Sequence, residues 1–244
     1  MILAIDAGNT RIKWGLRHAG AWAQVGSCAT ADNKALVDWA ATLRGHEFEH
    51  ILVSNVAGVD AKACIEEVLR GATAMPEFIV SQPMQCGVRS SYDEPNQLGC
   101  DRWAALIGAH SLLPGASLVV NAGTALTVDA LTEEGLFLGG IIVPGIELMR
   151  RALDEHTAGL KLRPGEVRFF PSNTGDAIMS GAVHAAAGAI ERMGAFMREG
   201  GHESLQVVLS GGSAALLQPM LSLRAVVVDN LVLEGLATIA EEGE

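Results

Sequence analysis

Hydrophobic and polar residues change their pattern sharply within the first sixteen positions of the chain. Residues 2–5 are all apolar, which is typical of a buried strand. After a polar break at residues 6–10, residues 11–16 alternate polar and apolar side chains with a period of two, which predicts a second strand. Because the break consists of Asp, Ala, Gly, Asn and Thr, mostly residues that turns favour, the whole segment predicts a β-hairpin.

A related pattern returns near the middle of the chain. The apolar residues 118–120 lead into Asn121-Ala122-Gly123-Thr124, and residues 125–131 have the character of a second strand. Two strand–turn–strand units, each near the start of one half, predict a duplicated fold with a cleft between the halves. We therefore expect an N-terminal lobe over residues 1–115 and a C-terminal lobe over residues 116–244.

Apolar spacing elsewhere predicts helices and strands in alternation, which indicates the α/β class with a mixed sheet. Residues 82–99 look irregular, and a loop of that length in a compact domain is usually functional or disordered. A turn is predicted at Gly139-Gly140. The predicted strands cover residues 21–26, 51–56, 77–80, 136–138, 141–143, 206–209 and 225–228, and the predicted helices cover residues 35–43, 60–69, 101–113, 146–153, 175–198 and 231–240.

Composition and charge exclude several kinds of protein. The net charge of −11 disfavours nucleic acid as a partner, since non-specific binding to phosphates needs a basic surface. No apolar run reaches the ~20 residues that cross a bilayer, and the chain begins with a strand, so we expect neither a membrane segment nor a signal peptide. The four cysteines match neither a zinc pattern nor a small disulfide scaffold, which predicts reduced thiols in the cytoplasm.

The two turns have the residue types that bind phosphate groups. Glycine lets the backbone approach an anion closely, and Thr and Asn add side-chain donors beside exposed N–H groups. Asp6, at a strand end, could hold Mg²⁺ directly or through water, and Lys13 could bind a phosphoryl group. Either turn alone is equally well explained as an ordinary hairpin turn, since turns favour the same residues. Their repetition favours a nucleotide site.

A second candidate site begins at Gly99-Cys100-Asp101-Arg102. Asp101 is either the N-cap of a helix, worth ~1 kcal/mol, or a general base beside a guanidinium that fixes an anionic substrate. Tyr92 precedes it in the irregular loop and is either a substrate contact or a packed aromatic. Ser210-Gly211-Gly212 could approach a flat ligand such as adenine, or simply begin a helix. Walker A, dinucleotide-binding and nucleophile-elbow motifs are absent, as is any recognisable metal spacing among the seven histidines.

Taken together and in order, five segments resemble type III pantothenate kinase, the CoaX-type enzyme. Within that family the chain looks most similar to the branch named Bvg accessory factor. The resemblance covers essentially the whole chain and implies the actin/Hsp70/sugar-kinase (ribonuclease H-like) architecture of two duplicated α/β lobes with a nucleotide cleft between them. The five segments are DAGNTRIK at 6–13, GCDR at 99–102, NAGTALTVD at 121–129, GGIIVPG at 139–145 and SGG at 210–212.

The resemblance also implies roles for particular positions. Asp101 would be the catalytic base, Thr174 a further pantothenate contact, and Mg²⁺ would accompany ATP. The family is typically a homodimer and requires a monovalent cation, K⁺ or NH₄⁺, that an aspartate helps to bind; this chain has Asn121 at that position, which puts the cation site in doubt. The residues implied for ATP are Asp6, Ala7, Gly8, Asn9, Thr10, Arg11, Ile12, Lys13 and Thr124, and those implied for pantothenate are Tyr92, Gly99, Cys100, Asp101, Arg102 and Thr174.

These observations predict a kinase that transfers the γ-phosphate of ATP to pantothenate. The product would be 4′-phosphopantothenate, formed in the first step toward coenzyme A. One alternative is a non-enzymatic regulatory accessory protein, as the branch name suggests, although an acidic chain without a basic patch argues against direct contact with DNA. Another is a kinase of the same fold acting on acetate or a sugar.

Overall fold

A computed structural model of the chain describes residues 1–242, which divide into two compact units. The first unit comprises residues 1–114 and the segment that begins at Asn230, and the second comprises residues 115–229. In chain order the elements are β1 (Ile2–Ala7), β2 (Arg11–His18), β3 (Ala21–Ala29), α1 (Asn33–Thr42), β4 (His50–Asn55), α2 (Val59–Val68), β5 (Pro76–Phe78), β6 (Met84–Gln85), β7 (Val88–Ser90), α3 (Cys100–Leu112), β8 (Ser117–Ala122), β9 (Ala125–Leu131), β10 (Leu136–Pro144), α4 (Ile146–His156), α5 (Thr174–Glu199), β11 (Gln206–Ser210), α6 (Ala214–Leu217), β12 (Ala225–Val227) and α7 (Leu231–Glu242).

The first unit is built on a five-stranded sheet in the order β3-β2-β1-β4-β5. Strand β1 pairs antiparallel with β2 and parallel with β4, and its apolar residues Leu3, Ala4 and Ile5 have no exposed surface. A strand buried on both faces explains why residues 2–5 form an unbroken apolar run. The alternation in β2 has a different origin, since the side chains of Ile12, Trp14 and Leu16 enter the core, whereas Lys13 is only half-buried and Gly15 has no side chain.

The second unit repeats this topology. Its strands follow the order β10-β9-β8-β11-β12, in which β8 pairs antiparallel with β9 and parallel with β11. Each strand therefore has a counterpart in the first unit, which confirms the predicted duplication and the α/β class. The repeat extends to single positions: Asp6 pairs with Lys13 and Ser54 in the first sheet, and Asn121 pairs with Thr127 and Ser210 in the second.

The last helix belongs to the first unit. Helix α7 packs along α3 and against β1, and its close approach to α3 is possible because both helices carry glycine at the contact, Gly235 and Gly108. The boundary expected at residue 115 had assigned residues 231–240 to the second half. Sequence spacing identified this helix but gave no information on which sheet it covers. Among residues 1–242 no helix is both long and apolar enough to span a bilayer.

Three local predictions need correction. The turn expected at Gly139-Gly140 is wrong, because β10 continues through both glycines as a single strand with a bulge, where Gly139 adopts φ +128°. The short helix α6 was not predicted. The irregular stretch 82–99 contains the hairpin β6–β7, whose two turn residues, Cys86 and Gly87, both have positive φ, as a tight hairpin turn requires.

Candidate active site

Asp6 lies at the end of β1, directly opposite Lys13 in the antiparallel pair with β2. Residues opposite each other in such a pair project their side chains from the same face of the sheet. On the other side of β1, Asp6 pairs in register with Ser54 of β4, whose hydroxyl lowers the pKa of the Asp6 carboxyl group. The first turn therefore brings a carboxylate, an ammonium group and a hydroxyl together at one edge of the sheet.

Helix α3 begins close to this group of residues. Its N-cap is Gly99, and Asp101 stands in the first turn, where its Oδ1 accepts the backbone N–H of Arg102 at 2.8 Å. A Cβ atom at Gly99 would lie 2.7 Å from that Oδ1, so a glycine at position 99 leaves room for the carboxylate. The interpretation of Asp101 as the N-cap is wrong. The carboxylate still favours the helix start, because it accepts from a backbone N–H of the first turn and is negative at the positive end of the dipole.

The environment of the two carboxylates raises the pKa of each. Burial, followed by the negative charge of Asp101, raises the pKa of Asp6 to about 7, and Lys13 and the hydrogen bond from Ser54 only partly offset this. Burial also raises the pKa of Asp101, against the opposing effects of the Arg102 backbone N–H and guanidinium. Burial disfavours the ionised form of any carboxyl group, so both residues are stronger bases than an exposed aspartate.

The surroundings of Asp6 fit a bound Mg²⁺ ion. Its Oδ1 is buried and has no hydrogen-bond partner among residues 1–242. A buried carboxylate oxygen without a partner is costly, and a cation or its bound water would satisfy it. No group of three His, Cys, Asp or Glu side chains in the described chain could hold a metal. Mg²⁺ commonly takes only one or two protein carboxylates and completes its shell with water and phosphate oxygens, which this arrangement allows.

The first turn is held in shape by its own backbone. The N–H of Gly8 donates to the Arg11 carbonyl at 3.0 Å, and the hydroxyl of Thr30 donates to the Gly8 carbonyl at 2.7 Å. Ala7 and Ile12 have side chains in the core of the first unit, so a nucleotide could meet these two residues only through their backbone. The guanidinium of Arg11 donates to the Ser27 hydroxyl at 2.6 Å.

Tyr92 and Arg102 are in contact. The guanidinium of Arg102 donates to the Tyr92 hydroxyl at 3.3 Å and lies 6.0 Å from the centre of the ring. Arg102 is buried although it is charged, and Tyr92 lines a cavity of about 360 Å³ together with Asp93, Glu94 and other residues of the same loop. The loop that seemed irregular in the sequence thus brings its only tyrosine to the start of α3.

The second turn belongs to the second unit and is tightly packed. Gly123 donates to the Ala125 carbonyl at 3.0 Å, and Gly145 donates to the Thr124 carbonyl at 2.9 Å. A Cβ atom at Gly145 would lie 2.2 Å from the Gly123 carbonyl oxygen, and one at Gly211 would lie 2.8 Å from Oδ1 of Asn121. Glycine at positions 145 and 211 therefore allows the backbone of two later segments to pack closely on this turn. This close packing gives a structural reason for glycine in the segments 139–145 and 210–212.

Thr174 is the first residue of α5. The N-cap of that helix is Asn173, whose side chain accepts the N–H of Asp176 at 2.9 Å. Thr174 and Asn173 line a cavity of about 610 Å³ in the second unit, with Leu153, Leu160 and Ile178 among its apolar walls. A cavity lined by both polar and apolar side chains is suited to a small amphipathic ligand.

Comparisons with known proteins show the family of this chain. A family model described as type III pantothenate kinase matches residues 2–195. The chain belongs to the type III pantothenate kinase family. A type III pantothenate kinase from Aromatoleum aromaticum is 50% identical over 243 residues, covering 99% of this chain and 98% of the relative. One from Nitrosospira multiformis is 46% identical over 242 residues, covering 99% and 92%.

Solved structures show the fold of this type III pantothenate kinase family member. A protein from Sinorhizobium meliloti assigned as a 2-dehydro-3-deoxygalactonokinase superposes with a TM-score of 0.64 at 16% identity, covering 99% of each chain. The architecture is that of the actin/Hsp70/sugar-kinase group, as the resemblance to the family implied.

Sequence reasoning missed Ser54. It is fully buried after three apolar residues of β4, Ile51 to Val53, and it lies beside Asp6. The available signal was the polar pair Ser54-Asn55 within the predicted strand 51–56, since buried hydroxyl groups need partners. The spacing alone did not show that this strand would lie next to β1. Ser54 therefore joins the residues of this family member that deserve a functional test.

Proposed function

We propose that this chain transfers the γ-phosphate of ATP to the primary hydroxyl group of pantothenate, giving 4′-phosphopantothenate and ADP. The observation that carries the proposal is the half-buried carboxylate of Asp101 at the start of α3, close enough to Asp6 to raise its pKa, in a member of this kinase family. A base, a candidate metal ligand and a cation at one sheet edge are the parts that phosphoryl transfer needs.

Asp101 acts as the general base. Its carboxylate accepts the hydroxyl proton of pantothenate while the oxygen bonds to the γ-phosphorus of ATP and the bond from that phosphorus to the bridging oxygen breaks. The electron pair leaves with ADP. Because burial raises the pKa of Asp101, its basicity is better matched to an alcohol than that of an exposed aspartate. The N–H of Arg102 holds the carboxylate in place.

The phosphates of ATP bind through Lys13 and the backbone of residues 6–13 in the first unit. Lys13 supplies a positive charge on the same face of the sheet as Asp6. Asp6 would hold Mg²⁺ through the oxygen that has no partner among the described residues. When Mg²⁺ is bound, it supplies positive charge that neutralises the phosphate oxygens. Asp6 is best suited to this task when it is ionised, and Lys13 and Ser54 both favour that form.

Pantothenate binds with Tyr92 and residues 99–102 in the first unit. Arg102 is a buried cation and attracts the carboxylate of the substrate, while its contact with Tyr92 fixes the guanidinium plane. Gly99 leaves room for the carboxylate of Asp101.

The proposal is tested with the purified full chain, ATP and Mg²⁺. ADP release is measured with a panel of acceptors that contains pantothenate, acetate and several sugars. We expect ADP release with pantothenate alone. Release with acetate or a sugar instead would identify a different kinase of the same fold, and no release with any acceptor would favour the non-enzymatic accessory role.

We further propose that the chain acts as a homodimer in the cytoplasm, where its four free cysteines stay reduced. Helix α5 exposes small residues at helical spacing, Ala177, Gly181 and Gly188, and nothing lies within 4 Å of a Cβ atom at either glycine. In the same unit Phe169 and Phe170 are 87% and 96% exposed. Such a face suits close packing by a second copy.

Sedimentation of the full chain tests the dimer. We expect Phe170→Asp to shift the population toward monomer, because it places a charge in an apolar interface. Met75→Asp changes an equally exposed apolar residue of the first unit and serves as the control. A wild-type chain that sediments as a monomer at all concentrations would contradict the dimer.

A further inference from the structure

A fully buried hydroxyl stands at the centre of the first unit's site. Ser54 has 0% exposure, and the residues before it in β4, Ile51 to Val53, belong to the core. A buried hydroxyl without hydrogen-bond partners is destabilising, so its partners indicate what it does. On one side it pairs in register with Asp6, and on the other its Oγ lies 3.5 Å from Sγ of Cys100, the first residue of α3.

The directions of these hydrogen bonds follow from which groups can donate. Either the Ser54 hydroxyl or the Cys100 thiol can donate across their 3.5 Å contact. An ionised Asp6 can only accept, so a Ser54 hydroxyl hydrogen directed to Asp6 leaves the Cys100 thiol as the donor to Ser54. Ser54 lowers the pKa of Asp6, which agrees with this direction. One line of polar contacts therefore connects the start of α3 through Ser54 to the carboxylate near the end of β1.

The duplicated fold contains the same register a second time. Ser210 of β11 pairs with Asn121 of β8 as Ser54 pairs with Asp6, and Ser210 is also buried. The paired side chain is the neutral amide of Asn121 in the second unit and the carboxylate of Asp6 in the first. Both halves therefore have a serine hydroxyl in register with the polar residue near the end of the central strand. In the first unit, the thiol of Cys100 also stands next to Asp101.

We propose that Ser54 and Cys100 are positioning residues that fix the carboxylate of Asp6 relative to the start of α3. The Ser54 hydroxyl engages one side of the carboxylate and leaves Oδ1, which has no partner among residues 1–242, available for Mg²⁺. Cys100 links that arrangement to the helix turn that carries Asp101. This inference rests on the proposed function, because it assumes that Asp6 serves a metal–nucleotide complex.

Binding of Mn²⁺ with ADP, followed by electron paramagnetic resonance of the free ion, tests the inference without turnover. Ser54→Ala removes the donor to Asp6 and is expected to weaken Mn²⁺·ADP binding about tenfold or more, the usual effect of losing a hydrogen bond to a charged group. In the kinase assay it should raise KM for Mg·ATP by a similar factor and change KM for pantothenate less than about twofold. If Ser54 had only a structural role, its loss would change KM for Mg·ATP and KM for pantothenate by similar factors.

The two cysteine variants test the link to α3. Cys100→Ala is expected to weaken Mn²⁺·ADP binding, and Cys100→Ser, which keeps a donor and an acceptor, should recover most of that loss. The double variant Ser54→Ala/Cys100→Ala should bind no more weakly than Ser54→Ala alone, because residues in one chain of hydrogen bonds are not additive. Cys28→Ala, a buried thiol of β3 outside the site, is the control and should bind as the wild type does.

Two results separate failure of this inference from failure of the proposed function. If the wild type binds Mn²⁺·ADP and folded Ser54→Ala and Cys100→Ala bind it equally well, the positioning role is overturned while the kinase activity stands. If the wild type neither binds Mn²⁺·ADP nor releases ADP, the proposed function fails and the inference fails with it. Should Ser54→Ala not fold, loss in Cys100→Ala with recovery in Cys100→Ser supports the inference, and equal binding by both overturns it.

Discussion

Gly235 of α7 packs so closely on Ala104 of α3 that a Cβ atom at position 235 would lie 1.8 Å from the Ala104 carbonyl oxygen. Helix α3 carries Asp101 in its first turn, so this contact sets where the candidate base stands. We expect Gly235→Ala to push the helices apart, to destabilise the fold by about 1–3 kcal/mol and to lower kcat. Urea denaturation and steady-state kinetics measure the two effects.

Gly159→Ala is the matched control for this prediction. Nothing lies within 4 Å of a Cβ atom at position 159, and its backbone conformation is not one that requires glycine. The control should leave both stability and kcat close to the wild type. If Gly235→Ala also leaves stability and kcat close to the wild type, the contact between α3 and α7 does not position the base.

Asp101→Asn tests the base itself. The amide keeps an oxygen that can accept from the Arg102 N–H but cannot take up the substrate proton, so we expect kcat to fall by roughly 10²–10⁴-fold with the fold intact. Circular dichroism and urea denaturation check the fold. Asp60→Asn, which changes an acidic residue in the first turn of α2, is the control and should leave kcat unaltered. A folded Asp101→Asn protein with near-normal kcat would remove Asp101 from the mechanism.

Asp6→Asn is expected to stabilise the protein at high pH while weakening activity. The pKa of Asp6 is raised from 3.8 to about 7, so the folded state holds a proton that the unfolded state has lost. The raised pKa of Asp6 therefore stabilises the folded state in full below pH ~4, and this stabilisation is lost as the pH rises through 7. An uncharged Asn has no such loss, so its advantage over the wild type should grow between pH 5 and pH 8. The difference of about three pKa units limits the stability advantage of Asp6→Asn to at most about 4 kcal/mol.

Urea denaturation at the two pH values, in the presence of EDTA, measures this advantage. Added Mg²⁺ and ADP should then stabilise the wild type more than Asp6→Asn, because binding to the folded state raises its stability. Asp38→Asn, an exposed position on α1, is the control. An advantage of Asp6→Asn that does not change with pH would show that Asp6 is not a buried acid.

Much of this architecture could be predicted from the sequence because it depends on local patterns. The apolar run at 2–5 and the alternation at 11–16 correspond to β1 and β2, and the same pattern at 118–131 corresponds to β8 and β9. Long helices with clear spacing, such as α3 and α5, were also found. The repeated turn with Gly8 and Gly123 predicts the duplication from the sequence alone, without knowledge of the strand pairing.

The remaining features depend on contacts between distant segments. Ser54 could not be placed beside Asp6 until the strand order was known, because parallel pairing follows from the fold and not from spacing. Gly139 was taken for a turn residue since glycine favours turns, but in β10 it forms a bulge. Gly235 carried no local signal at all, and only the packing of α7 on α3 shows why a side chain does not fit there.

Asn121 provides the last prediction, which concerns monovalent cations. It ends β8 at the position that Asp6 holds in the first unit, and its Oδ1 lies close to the backbone of Gly211. A carboxylate at this position would add repulsion toward the phosphates that a K⁺ or NH₄⁺ ion could cancel. The amide has no charge, its oxygen coordinates cations only weakly, and its N–H₂ can donate to a phosphate oxygen directly. We therefore expect the wild-type rate to depend little on K⁺, and the rate of Asn121→Asp to depend on it strongly.

The measurement is ADP release at fixed Mg·ATP, with K⁺ or NH₄⁺ titrated into a buffer whose only other cation is large and organic. Asn121→Asp should show a low rate that rises with K⁺, while the wild type starts near its full rate. Titration with Na⁺ controls for ionic strength, because screening by salt does not depend on which small ion is added. If the wild type instead rises from almost nothing, backbone carbonyls around the turn hold the cation, and the side chain at position 121 does not decide whether it binds.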